Sequence, residues 1–173
     1  MRTSQRLRKA MLVAHVTVAV GWLGAVAAFL ALAITTAASP DPDLVRACAL
    51  VMELIGWSVL VPLSLASLVT GIFQSLVSTW GLFRHYWVLA KLMINVVATA
   101  ILLLYMQTVT HLAATAGTRT PPGTGHESLQ SWSPVLHAGG ALILLVLAVL
   151  LSIYKPRGLT GFGYRKQKFE AGF

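Results

Sequence analysis

The chain has 173 residues, of which 57% are hydrophobic and 10% are charged, and its mean hydropathy is +0.77. Soluble domains carry about 25% charged residues, and a soluble core of this size could not bury so much apolar surface. The composition therefore excludes an ordinary soluble domain and predicts one small membrane domain. The net charge of +8 would favour nucleic acid as the partner of a soluble protein, but the basic residues cluster at helix ends, which indicates membrane topology and no nucleic-acid partner.

Four apolar segments are long enough to span a membrane, which takes about 20 residues for a helix. They cover roughly 11–35, 50–78, 87–109 and 134–154. The linker 112–132 is rich in Gly, Pro, Thr and Ser and predicts a flexible external loop, and residues 155–173 form a basic tail. The predicted fold class is an all-α, four-transmembrane-helix bundle that forms one domain over the whole chain.

The distribution of basic residues predicts the orientation of the bundle. Cationic residues precede the first span, lie in the second connection and follow the fourth span: Arg2, Arg6, Arg8, Lys9, Arg84, Lys155, Arg157, Arg165, Lys166 and Lys168. The two opposite loops carry only Arg46 and Arg119. By the positive-inside rule, both termini are cytoplasmic. The alternative for the first span is a signal peptide, but the apolar core of such a peptide has about 7–15 residues, and the longer run favours an uncleaved helix.

Small and polar residues indicate the helix faces that pack inside the bundle. One face of the first span carries Thr17, Gly21, Gly24 and Ala28, and the fourth span begins with HAGGAL. In the second span, residues three or four apart form one predicted interior face: Glu53, Trp57, Leu60, Ser64, Ser67, Gly71, Ser75 and Ser78. Pro62 lies in the middle of this span and predicts a kink.

Ionisable residues within a span are costly and are the first candidates for function. His15 and Lys91 each lie about one turn inside the start of a span, and Asn95 shares the helix face of Lys91. We therefore expect His15 to pair with Lys91 or Asn95 near the cytoplasmic side, and a neutral histidine can also bind a metal. The alternatives are that Lys91 extends to the interface and that His15 is a hydrogen-bonded packing residue.

A second, external group contains Glu53, His111 and His137. His111 ends span three and His137 begins span four, so antiparallel helices bring both to one height. Two histidines from facing helices are the usual axial ligands of haem in a bundle, and Met106 is a further candidate. His111 lies about 200° around the helix from Lys91, so the alternative for His111 is a position facing water. The alternative for Glu53 is that it is a solvated residue in the first turn of its span.

Motifs for common enzymatic chemistry are absent from the sequence. It contains no phosphate-binding loop, no dinucleotide glycine motif and no HExxH pair. The single Cys48 excludes an intramolecular disulfide and any multi-cysteine metal site. Whether the chain is an enzyme therefore stays open.

Two stretches carry a family resemblance: HVTVAVGWLGAVAAFLAL and STWGLFRHYWVLAKLMINVVATAILLLYM. They resemble a group of small four-helix bacterial integral membrane proteins of unknown function, which implies a multi-pass protein of the bacterial inner membrane but no activity. The size and helix count are also similar to those of small membrane cytochromes with haem b. Unlike the two-haem members of that class, this chain has no histidine in its second span.

Three functional hypotheses follow. The first is binding of haem b, or of a metal, by His111 and His137, with His15 as the next candidate ligand, for electron transfer or sensing. The second is proton, ion or small-molecule transport by an oligomer, with Glu53, Lys91 and His15 as sites. The third is a non-catalytic accessory subunit of a larger membrane complex. In each case membrane lipids are the expected surroundings.

Overall fold

The computed structural model describes residues 5–78, 82–118, 129–156 and 158–170, without the side chains at 166, 167 and 170. The helices in these ranges are α1 (Gln5–Ala38), α2 (Pro42–Ile55), a π-helical segment (Gly56–Leu60), α3 (Val61–Val77), α4 (Tyr86–Gly117), α5 (Ser133–Tyr154) and α6 (Gly161–Glu170). The described residues form no strand, and one isolated bridge joins His85 to Leu159. The all-α prediction is confirmed.

Within the described ranges, four helical units are long and apolar enough to cross a membrane, as predicted. They are α1, the continuous unit Pro42–Val77, α4 and α5. All but the last extend well beyond the predicted limits. In particular, α4 continues to Gly117, so the loop predicted to begin at residue 112 begins later. The reason is that the HLAATA stretch is rich in alanine and leucine, which are strong helix formers. The middle of that predicted loop, including His126, lies outside the described residues.

The four spans form an up-and-down bundle in which α1 and α4 lie diagonally opposite each other. Both contact α2, α3 and α5. The basic end of the bundle, as we call it, consists of 5–9, 82–86, 155–156 and 158–170. The opposite end is held by Gln130, which donates to the Ser39 carbonyl at 2.7 Å, and by Arg46, which donates to the Gly117 carbonyl at 3.3 Å.

The second span changes its helical geometry in front of Pro62. A proline has no backbone N–H and its ring collides with the preceding turn of an α-helix. Here Pro62 lies in the first turn of α3, directly after the wider π-helical turns. Such turns rotate the following residues relative to the preceding ones. Leu60, Ser64 and Ser67 are therefore buried, whereas Trp57 is 48% exposed and does not belong to the interior face predicted for it.

Bulky residues, not small ones, form the buried face of α1. Its buried side chains recur at spacings of four and three: Trp22, Val26, Phe29, Ala33 and Thr36. The face with Thr17, Gly21, Gly24 and Ala28 is exposed in the single chain, although Gly21 lies near Leu63. The prediction that these small residues pack inside the bundle is wrong because the aromatic side chains fill its centre. They pack there with Met52, Leu60 and Met106.

Candidate functional site

His15 contacts the second span through a hydrogen bond and a close packing contact. Its Nδ1 lies 3.1 Å from Oγ1 of Thr70. The Thr70 hydroxyl donates its single proton to the Ala66 carbonyl at 2.6 Å, so the hydroxyl accepts from His15 Nδ1–H and leaves the lone pair on Nε2. The ring lies against Gly71, where a Cβ would come within 3.1 Å of Cε1. Gly71 thus allows the imidazole to approach α3.

Asn95 joins the same polar region from α4. Its side-chain amide donates to Oγ of the buried Ser67 at 3.1 Å, and Thr99 Oγ1 lies 3.5 Å from Asn95 Oδ1. Thr70 Oγ1 is also 3.3 Å from the Ser67 carbonyl. We call His15, Ser67, Thr70, Asn95 and Thr99 the polar network. His15 and Asn95 are therefore linked through two hydroxyl residues of the second span, and not by direct contact.

Lys91 lies beside this network, nearer the basic end. Its Nζ is 5.8 Å from the centroid of the Trp87 ring, a cation–π distance. The pairing of His15 with Lys91 stays a prediction, and the side chain that hydrogen-bonds His15 is Thr70. Glu53 is half-buried in α2, before the π-helical segment and away from the polar network.

A cavity of about 430 Å³ lies between α1, α4 and α5. Its volume falls in the range of about 300–1,000 Å³ that is usual for small-molecule sites. The lining is almost wholly apolar and includes Trp22, Phe29, Met106 and Leu144, with Tyr105 and His137 as the polar exceptions. The chemistry of this lining suits a bulky apolar molecule that is recognised by few polar atoms.

His137 is held in one orientation at this cavity. Its Nδ1 is 2.8 Å from the Ser133 carbonyl oxygen, which can only accept, so Nδ1 carries the proton and the Nε2 lone pair is available to a ligand. The imidazole stacks on Tyr105 with ring centroids 3.9 Å apart and planes inclined by 16°. Tyr105 in turn donates to the Ser133 hydroxyl at 3.1 Å. A second group that orients a histidine in this way is usual for metal-ligating histidines.

The other candidate ligands are placed differently. Met106 lines the cavity and is fully buried, with its thioether against Gly56. His111 is exposed on α4 and does not line the cavity, and His15 lies in the polar network. The structure therefore brings His137 and Met106 to one cavity, but it does not bring His111 there. Within the described residues, no group of three or more His, Cys, Asp or Glu side chains could hold a metal ion.

Sequence reasoning missed three residues that orient the two histidines: Thr70, Tyr105 and Ser133. A signal for Ser133 was present, because a residue four positions before His137 lies one helical turn away. Thr70 and Tyr105 gave no such signal, since their contacts depend on the rotation of one helix against another. Trp22 is a core residue at 2% exposure. Its Nε1 is buried without a hydrogen-bond partner.

Comparisons of this chain with models of protein families, with curated proteins and with solved structures found no match.

Proposed function

We propose that this protein binds a bulky, largely apolar ligand in the cavity between α1, α4 and α5, and that this ligand is haem b. The observation that carries the proposal is His137. It lines an apolar cavity, and its Nδ1–H bond to the Ser133 carbonyl leaves Nε2 as a ligand atom. Electron transfer or sensing is the role we infer, because haem b supplies a one-electron redox centre when it is bound.

Two side chains that line the cavity would hold the haem iron. His137 would supply the first ligand from α5, and the Met106 thioether would supply the second from α4. Histidine with methionine is a known axial pair of haem iron. The apolar lining would exclude water, and Tyr105 would keep the imidazole plane fixed. A pair made of His111 and His137 is not favoured, since His111 does not line the cavity.

We also infer the placement of the molecule in the cell. The basic end carries most of the cationic residues of the chain, and by the positive-inside rule this end faces the cytoplasm. The cavity residues of α5 near His137 lie toward the opposite end and so toward the outer side. A multi-pass protein of the bacterial inner membrane is the proposed location.

The test is the visible spectrum of the full chain, purified in mild detergent from haem-replete cells, oxidised and then reduced with dithionite. We expect a Soret band and sharp reduced bands. His137→Ala should abolish them. His111→Ala is the matched control, because it removes a histidine at the same end of the bundle, and it should keep the spectrum. Met106→Leu should keep the fold and change the band positions.

Two results would contradict the proposal at different levels. A colourless protein that retains an extractable lipid-soluble molecule, lost in His137→Ala, would preserve the cavity as a binding site but exclude haem b. Colour that persists in His137→Ala would place the haem elsewhere. Mass spectrometry of an organic extract identifies the molecule in the first case.

Proton or ion transport is a second candidate, favoured by the polar network. Five hydrogen-bonding side chains from three spans lie together at the depth of His15. A four-span chain would need an oligomer for a transport path, and the exposed small residues of α1 allow close approach of a second helix. Flux across liposomes that Asn95→Leu abolishes, while His137→Ala leaves it unchanged, would support this function over haem binding.

A further inference from the structure

The wall of the cavity differs in exposure from one helix to the next. Its α1 side consists of Trp22, Val26 and Phe29, and all three side chains are buried. Its α5 side includes Leu136 and Ile143, which are 73% and 63% exposed. The cavity is therefore closed toward α1 and open along α5.

The helix that borders the other side of this opening is α4. Ile101 of α4 lines the cavity and is exposed, whereas Ala98 and Val109 of the same helix line it and are buried. Gly140 of α5 is also exposed, and a Cβ added there would meet nothing within 4 Å. We call the gap bordered by Ile101, Gly140 and Ile143 the mouth of the cavity.

Two stacked rings join α4 to α5 next to the mouth. Tyr105, four residues after Ile101, stacks on His137, three residues before Gly140. Since an α-helix has about 3.6 residues per turn, the stacked rings lie about one turn from the mouth, toward the end opposite the basic end. A molecule that enters through the mouth therefore passes beside the imidazole that we propose as its ligand group.

The mouth lies at the depth of the lipid acyl chains. Helix α5 has 22 residues, so it is about 33 Å long at about 1.5 Å per residue, close to the thickness of the hydrocarbon layer. Gly140 and Ile143 follow its first residue by seven and ten positions, which places them about 10–15 Å along the helix. The mouth consequently opens to hydrocarbon and not to water.

The end of the bundle opposite the basic end is less open than the mouth. Leu129, shortly before α5, is buried and belongs to the hydrophobic core. Gln130 fastens the same stretch to the end of α1 through its 2.7 Å hydrogen bond to the Ser39 carbonyl. A molecule that arrived from this end beside α1 would have to displace these contacts, whereas the mouth between α4 and α5 is already open.

We propose that the ligand of this cavity comes from the hydrocarbon layer of the membrane and passes sideways through the mouth. Its chemical class is that of molecules dissolved in the bilayer, to which the apolar macrocycle of haem b gives it access. Lipid tails are as apolar as the cavity wall, so selection among such molecules depends on the two polar lining residues, His137 and Tyr105. This inference rests on the proposed binding function, but it does not require that the ligand be haem.

The experiment labels the cavity from the membrane with trifluoromethyl-phenyl-diazirine, a small apolar probe that forms a reactive carbene in light. The full chain from haem-depleted cells is reconstituted in liposomes that contain the probe and is then photolysed, and mass spectrometry maps the adducts residue by residue. We expect adducts on Trp22 and Phe29 of the buried wall, and haem loading should remove them. Val20, exposed on the same helix, should be labelled in every sample and reports the probe at this depth.

A pair of neighbouring glycines supplies the test variant and its matched control. Gly140→Phe fills the mouth and should abolish the adducts on Trp22 and Phe29. Gly139→Phe should keep them, because a Cβ at Gly139 also meets nothing within 4 Å but this residue does not line the cavity. Met52 is buried and does not line the cavity, so adducts on Met52 would identify a variant that has unfolded.

Three outcomes separate the proposals. Unlabelled Trp22 and Phe29 in the wild type, beside labelled Val20, would overturn the mouth, and so would an equal loss of adducts in Gly139→Phe. A protein that is colourless from haem-replete cells but labelled at both wall residues would contradict haem binding alone. A haem protein whose haem-free chain is folded and stays unlabelled at the wall would contradict sideways entry alone.

Discussion

The imidazole of His15 lies against Gly71 of the second span, so close that a methyl group at Gly71 would be 3.1 Å from its Cε1. This distance is shorter than an ordinary contact between two carbon atoms. The same ring makes the hydrogen bond to Thr70, the residue before Gly71. Packing and hydrogen bonding therefore hold His15 at one point of α3.

Gly71→Ala should displace this ring and weaken its bond to Thr70. Hydrogen bonds between spans contribute about 0.6–2 kcal/mol, so we expect a loss of about 1 kcal/mol in the free energy of unfolding, measured by steric trapping in bicelles. Gly24→Ala is the control, because a Cβ at Gly24 meets nothing within 4 Å. Equal stability of the two variants would refute the contact with His15.

Gly56→Ala should fill part of the cavity indirectly. A Cβ at Gly56 would be 2.5 Å from Cε and 2.7 Å from Sδ of Met106. The Met106 side chain lines the cavity, so the cavity is the space into which it can move. We expect Met106 to swing into the cavity and to lower haem content, with the fold retained. Haem per protein, from the reduced spectrum, is the measurement. Gly24→Ala is the control, because a Cβ at Gly24 meets nothing within 4 Å, and equal haem content in the two variants would contradict this account.

Gly163→Ala should release α6 from the second connection. The added Cβ would overlap a backbone oxygen, that of Arg84, which cannot rotate away as a side chain can. We expect faster hydrogen exchange at Thr160 and along α6, measured by mass spectrometry, with α1 to α5 unchanged. Gly161→Ala, where a Cβ meets nothing within 4 Å, is the control for the effect of alanine on the helix. Identical exchange in both variants would exclude the docked arrangement.

The bond between Asn95 and Ser67 can be measured by a double-mutant cycle. Asn95→Leu, Ser67→Ala and the double variant should give a coupling energy of about 0.6 kcal/mol, with about 1.7 kcal/mol as the upper end found for spans. The readout is the free energy of unfolding in bicelles. A coupling of zero within error would show that the 3.1 Å contact does not stabilise the fold.

Much of the architecture could be predicted from the sequence because a membrane span is defined by consecutive apolar residues along the chain. A run of about 20 apolar residues is sufficient to identify a spanning helix, and four such runs predicted the all-α bundle. The depth of His15 and Lys91 near the starts of their spans could be read in the same way.

The tertiary structure alone decided which helix faces turn inward. The small residues of α1 were expected in the interior, whereas the aromatic Trp22 and Phe29 occupy it. The π-helical turns before Pro62 shift the face of the second span and expose Trp57. A local sequence does not encode such a rotation, because it depends on the packing of neighbouring helices.

The same distinction applies to the candidate site. Periodicity predicted that His111 and His137 reach one height, and helix rotation decided that only His137 lines the cavity. The residue types predicted a polar region around His15, whereas the packing of α1 on α3 decided that its partner is Thr70. Sequence by itself determined the spans and the depth of each polar residue, since both follow from position along a helix. Partners were decided only by the fold, since they depend on how separate helices turn toward one another.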